Sequence, residues 1–137
     1  MGRVRYLDWL DEAADDYEAA RLLYAAGKYS KACFFSHQAC EKAVKALMIR
    51  RLGRYDPVHS VAELLRRLRP AVSVPEDLVR KGELLDRYYV PTRYPNAWPA
   101  GAPHRHYVRE DAEEALRLAE EVLRFVEREI GRAREGH

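Results

Sequence analysis

Apolar residues recur every three or four positions along most of the chain, and this spacing predicts amphipathic α-helices. We expect three long and two shorter helices, at about 7–26, 30–52, 108–130, 61–68 and 75–88. Gly27, Gly53 and Gly131 stand where they would end the long helices, and Ser60 with Glu63 reads as a capping box. No segment shows the alternation of apolar and polar residues that is typical of a β-strand. The pattern therefore predicts an all-α, antiparallel up-and-down helical bundle.

The same periodicity predicts which helix faces are buried. The inward stripe of the first helix is predicted as Leu10, Ala13, Ala14, Tyr17, Ala20, Arg21 and Tyr24. The second helix is predicted to bury a face of mostly small residues, namely Ala32, Cys33, Ser36, Ala39, Cys40, Ala43, Leu47 and Met48. Its opposite face would carry Gln38, Glu41, Lys42 and Lys45. Two helical turns, about 10 Å, separate the cysteines, so we expect buried free thiols.

Residues 88–107 do not read as a helix, because four prolines hold the backbone extended or in turns. The segment and its flank contain aromatic rings and arginines, namely Arg87, Tyr88, Tyr89, Arg93, Tyr94 and Trp98. Such a loop is suited to stacking a nucleotide base and pairing with its phosphate. Alternatively, the aromatic residues plug one end of the bundle.

Length and composition indicate one domain spanning 1–137, with a core at about 6–130 and a frayed tail at 131–137. No apolar run is long enough to span a membrane, and we expect a cytoplasmic protein. The chain has one Gln and one Asn, and so few thermolabile amides suit a hot environment. Arginine outnumbers lysine 19 to 5, and genomic base composition could produce the same arginine bias.

Charge is distributed unevenly, although the net charge is only +2. Residues 28–69 contain ten basic and three acidic residues, whereas residues 109–137 contain six basic and nine acidic ones. A basic middle indicates an anionic partner. Ordinary salt bridges on a solvated face are the alternative.

Catalytic motifs are scarce, and no phosphate-binding loop, zinc-protease or nucleophile-elbow motif is present. His104 and His106 have no carboxylate or thiol beside them, so we predict no metal site and no cofactor. Arg54 and His59 form the one pairing suited to phosphoryl chemistry, with arginine stabilising charge and histidine moving a proton. The alternative is that His59 only precedes the cap of the third helix.

Four segments together resemble the HEPN domain family. They are Q-A-C-E-K-A-V-K-A-L at 38–47, H-S-V-A-E-L-L at 59–65, R-Y-P-N-A at 93–97 and D-A-E-E-A-L at 111–116. Their order and spacing match that domain over about residues 6–130. The resemblance implies a four-to-five-helix bundle that dimerises. It also implies a small nucleotidyltransferase as partner, in pairs that often behave as toxin and antitoxin, with the HEPN member acting as a metal-independent RNase or binding nucleotides.

The family's ribonuclease motif is an arginine and a histidine a few residues apart, which Arg54 and His59 match with four residues between them. Two departures disfavour catalysis: Tyr55 replaces the expected polar residue, and the pair precedes a short middle helix instead of the last core helix. We therefore expect a homodimeric module that binds nucleotide or RNA and a nucleotidyltransferase. An endoribonuclease using Arg54 and His59, and a purely structural adaptor, are the alternatives. The residues expected to bind the ligand are Lys42, Lys45, Tyr88, Tyr89, Arg93 and Tyr94.

Overall fold

The computed structural model describes residues 5–135, with side chains described for residues 5–132. Five α-helices follow one another: α1 (Tyr6–Ala25), α2 (Tyr29–Leu52), α3 (Val61–Leu68), α4 (Glu76–Asp86) and α5 (Arg109–Glu135). Short 3₁₀ turns at Pro95–Ala97 and Pro103–His106 interrupt the long connection before α5. No strand occurs within the described part of the chain. The predicted all-α bundle of three long and two shorter helices is confirmed.

Helix α2 is the central element, because it contacts each of the other four helices. Small residues allow this close approach, and the whole predicted inner face of α2 is buried. The Cys40 thiol, for example, lies 3.7 Å from the Ala119 carbonyl oxygen of α5. Both Cys33 and Cys40 are buried free thiols, as predicted, and burial raises the pKa of Cys33 to about 12. They are therefore inert packing residues.

Two of the three predicted glycine stops are confirmed. Gly27 and Gly53 follow α1 and α2 in the left-handed conformation, with φ of 78° and 71°. The predicted stop at Gly131 is wrong, because α5 continues to Glu135. One glycine costs a helix only about 1 kcal/mol, and the pair between Glu129 and Arg132 (2.8 Å) spans this turn. Most of the predicted frayed tail is thus helical, and residues 136–137 lie outside the described residues.

Two predicted helix faces need correction. On α1, Ala14 and Arg21 are exposed, whereas Asp16 is buried and pairs with Lys42 of α2. On α2, Glu41 and Lys45 are buried, which contradicts the prediction that they lie on the outer face. The outer face of α2 is covered by parts of the chain that are distant in sequence, and helical periodicity does not reveal such a cover.

Helices α3 and α4 form a tight antiparallel pair. A Cβ atom added at Gly82 of α4 would lie 2.9 Å from the Ala62 backbone nitrogen of α3, so only glycine fits there without a shift. The Ser60 hydroxyl caps α3 by accepting from the Glu63 amide (3.0 Å). The reciprocal half of the predicted capping box is wrong, since the Glu63 carboxylate pairs with arginines instead. Asp86 of α4 supplies the second cap and accepts from the amides of Val61 and Ala62, at 2.7 and 3.2 Å.

The basic segment 28–69 is largely neutralised by carboxylates, many of them outside that segment. Lys42 pairs with Asp16, Arg51 with Glu129, Arg66 with Glu83 and Arg69 with Glu76. The alternative of ordinary salt bridges therefore accounts for most of this charge. Among the helices of residues 5–135, none has both the length and the apolar character needed to cross a bilayer.

Candidate functional site

The side chain of Tyr89 is the centre of an aromatic cluster between α2 and the segment that follows α4. The His59 ring stacks on it, with centroids 5.2 Å apart and planes inclined by 17°. The Phe34 ring stacks at 6.3 Å, and the His37 ring lies at 5.2 Å. The guanidinium of Arg93 lies 4.7 Å from the centre of the same ring. Tyr89 thus brings together residues from α2, the turn before α3, and the loop.

Arg93 is held by aromatic rings and by the backbone. Its guanidinium also lies 4.5 Å from the Phe34 ring and 4.8 Å from the Tyr94 ring. Its Nε donates a hydrogen bond to the Tyr89 carbonyl oxygen at 2.8 Å. No carboxylate of residues 5–132 forms an ion pair with it. The cation is therefore oriented while its charge is left available to an anion.

Beside this cluster, α2 carries a buried ion pair. Lys45 Nζ lies 3.1 Å from Glu41 Oε2, and the two side chains are only 2% and 5% exposed. The ammonium also lies 5.0 Å from the Tyr55 ring and 5.9 Å from the Trp9 ring. His59 Nδ1 is 3.3 Å from the same Glu41 oxygen. Because the pair is buried, loss of either partner would leave an uncompensated charge.

The turn before α3 places His59 against this carboxylate. Asp56 accepts from the Val58 amide (3.1 Å) and from Arg67 (2.8 Å), which fixes the turn. Burial alone would raise the pKa of Asp56, but the hydrogen bond from Arg67 and the Val58 amide together lower it. Arg54, at the start of this turn, is exposed and forms no hydrogen bond or ion pair within the described residues.

A second histidine supports the cluster from inside. His37 is fully buried, and its Nε2 lies 2.9 Å from Asp86 Oδ1. Gln38 Nε2 lies 3.2 Å from His37 Nδ1, so the amide donates to Nδ1 while Nε2–H donates to Asp86. Burial alone would raise the pKa of Asp86, but the hydrogen bonds from His37, Ser60 and the Val61 amide outweigh it and lower the pKa. Asp86 therefore ties α2 to the start of α3.

These contacts define what we call the His59–Arg93 surface, which consists of Phe34, His59, Tyr89, Arg93 and Tyr94. Four residues singled out from the sequence belong to it, namely His59, Tyr89, Arg93 and Tyr94. Lys45, which was also expected to bind the ligand, is buried beside this surface in its pair with Glu41. Three others do not contact it: Lys42 pairs with Asp16, Tyr88 packs in the core, and Arg54 faces solvent.

Sequence reasoning missed Phe34, His37 and the role of Glu41. The signal for them is their spacing, because positions 34, 37, 41 and 45 of a helix lie on one face. That face carries an aromatic ring, a histidine and an adjacent acid–base pair. Because these residues are mostly polar, the sequence favours placing this face of α2 towards solvent. The structure contradicts that placement for Glu41 and Lys45, which are buried.

The later part of the loop has a different structure. Trp98 and His106 stack with centroids 3.9 Å apart and planes within 2°, and the Trp98 indole nitrogen donates to the Pro91 carbonyl oxygen (2.7 Å). Tyr107 contacts Trp98 and Tyr88 edge-on. Burial raises the pKa of Tyr107 to about 12 and raises that of Tyr88 further. Tyr88 and Tyr107 pack against buried residues of α2 and α5, so we call residues 95–107 together with Tyr88 the plug.

Comparison with known proteins identifies the family. The sequence profile of the HEPN domain matches residues 6–129. The chain belongs to the HEPN family. A curated relative of this HEPN protein, named "Putative toxin MJ1304", from Methanocaldococcus jannaschii, is 31% identical over 127 residues, covering 86% of this chain and 83% of the relative.

Solved structures of similar chains have the same fold. The crystal structure of TT1696 from Thermus thermophilus is 46% identical and superposes with a TM-score of 0.88, covering 91% of this chain and 98% of that one. ST0689, described as an archaeal HEPN homologue, is 36% identical with a TM-score of 0.76, covering 92% and 98%. The HEPN domain protein TM0613 from Thermotoga maritima is 36% identical with a TM-score of 0.73, covering 91% and 98%.

Proposed function

We propose that this HEPN protein is a nucleotide- and RNA-binding module that uses the His59–Arg93 surface, and that it forms a toxin–antitoxin-like pair with a small nucleotidyltransferase. The observation that carries the proposal is the Arg93 guanidinium, held over three aromatic rings with no carboxylate of residues 5–132 to neutralise it. A cation oriented in this way is suited to a phosphate, and the rings beside it are suited to bases.

The neighbouring side chains support the same ligand. Tyr94 is 48% exposed, and the His59 side chain is 58% exposed, so both present a ring face or edge to solvent. Stacking on exposed rings tolerates any base, because every base has a π-face. Recognition would thus depend on phosphate charge and stacking more than on sequence.

Direct binding measurements test this proposal. Fluorescence anisotropy with a labelled single-stranded RNA of mixed sequence is expected to give salt-dependent binding, which Arg93→Ala weakens about tenfold. Arg105→Ala is the matched control, since Arg105 is an exposed arginine of the later part of the loop whose side chain forms no hydrogen bond or ion pair within the described residues. Equal losses in both variants, or none in either, would show that the surface is wrongly assigned.

The partner and the homodimer are proposed from the family and from the name of the curated relative. Co-expression with a nucleotidyltransferase encoded beside this gene is expected to yield a stable complex on gel filtration, and the chain alone is expected to run as a dimer. Independent elution of the two proteins at micromolar concentration would contradict the pairing, and a monomer would contradict the dimer.

A metal-independent endoribonuclease using Arg54 and His59 is the second candidate. The contact between His59 Nδ1 and Glu41 favours it, because that contact leaves the other ring nitrogen without a partner among residues 5–132. Cleavage of RNA in EDTA that disappears in His59→Ala would support the enzyme. RNA binding by the wild-type protein without cleavage would support the binding module and not the ribonuclease.

A further inference from the structure

We propose that the groove between α1 and α5 is an interface for a second copy of this chain, and that α1 of each copy packs against α5 of the other. The inference rests on the homodimer of the proposed function, to which it gives a surface and a geometry. No residue of the His59–Arg93 surface lines the groove, so the two surfaces can be tested separately.

The groove exists because α1 and α5 both pack closely on α2 and only loosely on each other. Its wider part, with a volume of about 830 Å³, is lined by Ala14, Tyr17, Leu22 and Leu116 among other residues. A narrower part of about 260 Å³ shares Ala14 and Tyr17 and extends to Leu123. The two parts therefore form one continuous groove on the side of these helices that faces away from α2.

The groove and its rim suit a protein surface more than a small ligand. Four exposed apolar residues follow one side of α1, namely Leu7, Ala14, Leu22 and Ala25, and Leu22 is 64% exposed. Exposed apolar residues that are continuous along a helix mark interaction sites. Within residues 5–132, no buried polar atom without a partner lines the groove, so it lacks the fixed polar groups that orient a small molecule.

The charges beside the groove favour a second copy over an unrelated protein. On α1, the exposed acids Asp11 and Glu18 are seven residues apart and lie on the side of Ala14. On α5, the exposed arginines Arg117 and Arg124 are also seven residues apart. Asp11, Glu18 and Arg117 form no ion pair within the described part of the chain. One face thus carries both signs, as a self-complementary interface requires.

A twofold axis parallel to the two helices brings the opposite charges together. Within one chain α1 and α5 are antiparallel, because the Tyr17 hydroxyl donates to Glu120 (3.4 Å) and the Tyr24 hydroxyl donates to Glu113 (2.7 Å). Rotation about such an axis shifts nothing along it, so α1 meets α5 of the second copy at the same levels. These levels place Glu18 opposite Arg117 of the second copy. An axis perpendicular to the helices would instead oppose α1 to α1, with acid facing acid.

The face is large enough for a dimer. A helix of 20 residues, the length of α1, is about 30 Å long, and two helices side by side are roughly 20 Å wide. Two such faces bury about 1,200 Å² in total, which is the lower limit for a specific and stable interface. Variants with a single reversed charge should therefore shift the equilibrium measurably.

Sedimentation equilibrium of the full chain tests the interface. Glu18→Arg and Arg117→Glu are each expected to raise the dimer dissociation constant at least about tenfold, because each places like charges opposite each other twice in the dimer. Glu12→Arg is the matched control, since Glu12 is an exposed acid of α1 that lies beside Trp9 and Lys42 and does not line the groove. Unchanged melting temperatures would show that the variants are folded.

Mixing the two variants tests the geometry. A heterodimer of Glu18→Arg with Arg117→Glu opposes Arg to Glu at both contacts, so native mass spectrometry of the mixture is expected to show it in large excess over either homodimer. Contacts within one chain cannot produce that rescue.

The outcomes separate this inference from the proposed function. A wild-type dimer that Glu18→Arg and Arg117→Glu leave unchanged, or a mixture without excess heterodimer, would overturn the groove as the interface and leave the homodimer standing. A wild-type monomer would overturn both. RNA affinity, measured by anisotropy, is judged independently of either result.

Discussion

The two parts of the loop between α4 and α5 contain similar residues but have different contacts. In residues 89–94, Tyr89 and Arg93 reach across to α2 and to His59. In residues 95–107, Trp98 and His106 contact mainly other parts of the loop. Aromatic rings beside cations therefore do not identify a binding surface by themselves. What distinguishes the first part is a cation without a carboxylate partner among residues 5–132, beside a histidine on a buried acid.

The largest effect is expected at Asp86, at the end of α4 and just before the loop. Asp86→Ala removes the carboxylate that His37, Ser60 and the α3 amides share, and leaves buried donors without an acceptor. We expect a loss of about 3 kcal/mol in the free energy of unfolding, measured by urea denaturation. Asp86→Asn, which keeps one acceptor oxygen, should lose less, and equal losses would contradict this role.

The same carboxylate predicts an acid dependence. The pKa of Asp86 is lowered in the folded state, so its contribution is complete above the unfolded-state pKa of about 3.9 and disappears as pH falls through the folded value. Wild-type protein should therefore lose stability below about pH 4 more steeply than Asp86→Asn. Parallel melting-temperature profiles of the two proteins would refute this assignment.

The next effect separates the two parts of the loop. Trp98→Ala removes the stack on His106 and the contact with Tyr107. We expect the free energy of unfolding to fall by about 2–3 kcal/mol, which is less than for a fully buried tryptophan because this indole is only partly buried. RNA affinity should stay within about twofold of wild type, since Trp98 does not belong to the His59–Arg93 surface. A loss of affinity as large as that of Arg93→Ala would show that the two parts act as one.

A smaller effect is expected at the turn inside the plug. Gly101 has φ of +81°, and a Cβ atom there would lie 3.1 Å from His106 Nε2. Gly101→Ala should lower the melting temperature, by the equivalent of about 1–2 kcal/mol. Gly131→Ala is the matched control, because the added carbon meets nothing within 4 Å, and in a helix it should be neutral or stabilising.

The smallest effect on stability is expected at Tyr94. Tyr94→Ala removes a ring that is 48% exposed, so the free energy of unfolding should change by less than about 0.5 kcal/mol. Anisotropy should nevertheless detect a loss of RNA affinity of about 1–3 kcal/mol if a base stacks on this ring. Unchanged affinity would remove Tyr94 from the proposed surface.

Periodicity and caps predicted the bundle because both are local properties of the sequence. The end of α5 was missed because a single glycine is a weak stop when a charged pair continues across it. The site was only partly predictable for a different reason. Glu41 and Lys45 are buried by Trp9, Tyr55 and His59, which lie elsewhere in the chain. The spacing of apolar residues along α2 cannot predict burial by residues outside the helix.

The burial of Lys45 also makes it a chemical reporter. An amine-acylating reagent needs access to a free amine, which Lys28 and Lys31 offer on the surface and Lys45, at 2% side-chain exposure, does not. Acylation of Lys45, followed by mass spectrometry against the two exposed lysines, would therefore measure how often the covering residues move away. The rate at which the buried Lys45 amine is acylated would thus report how often the surface beside it opens.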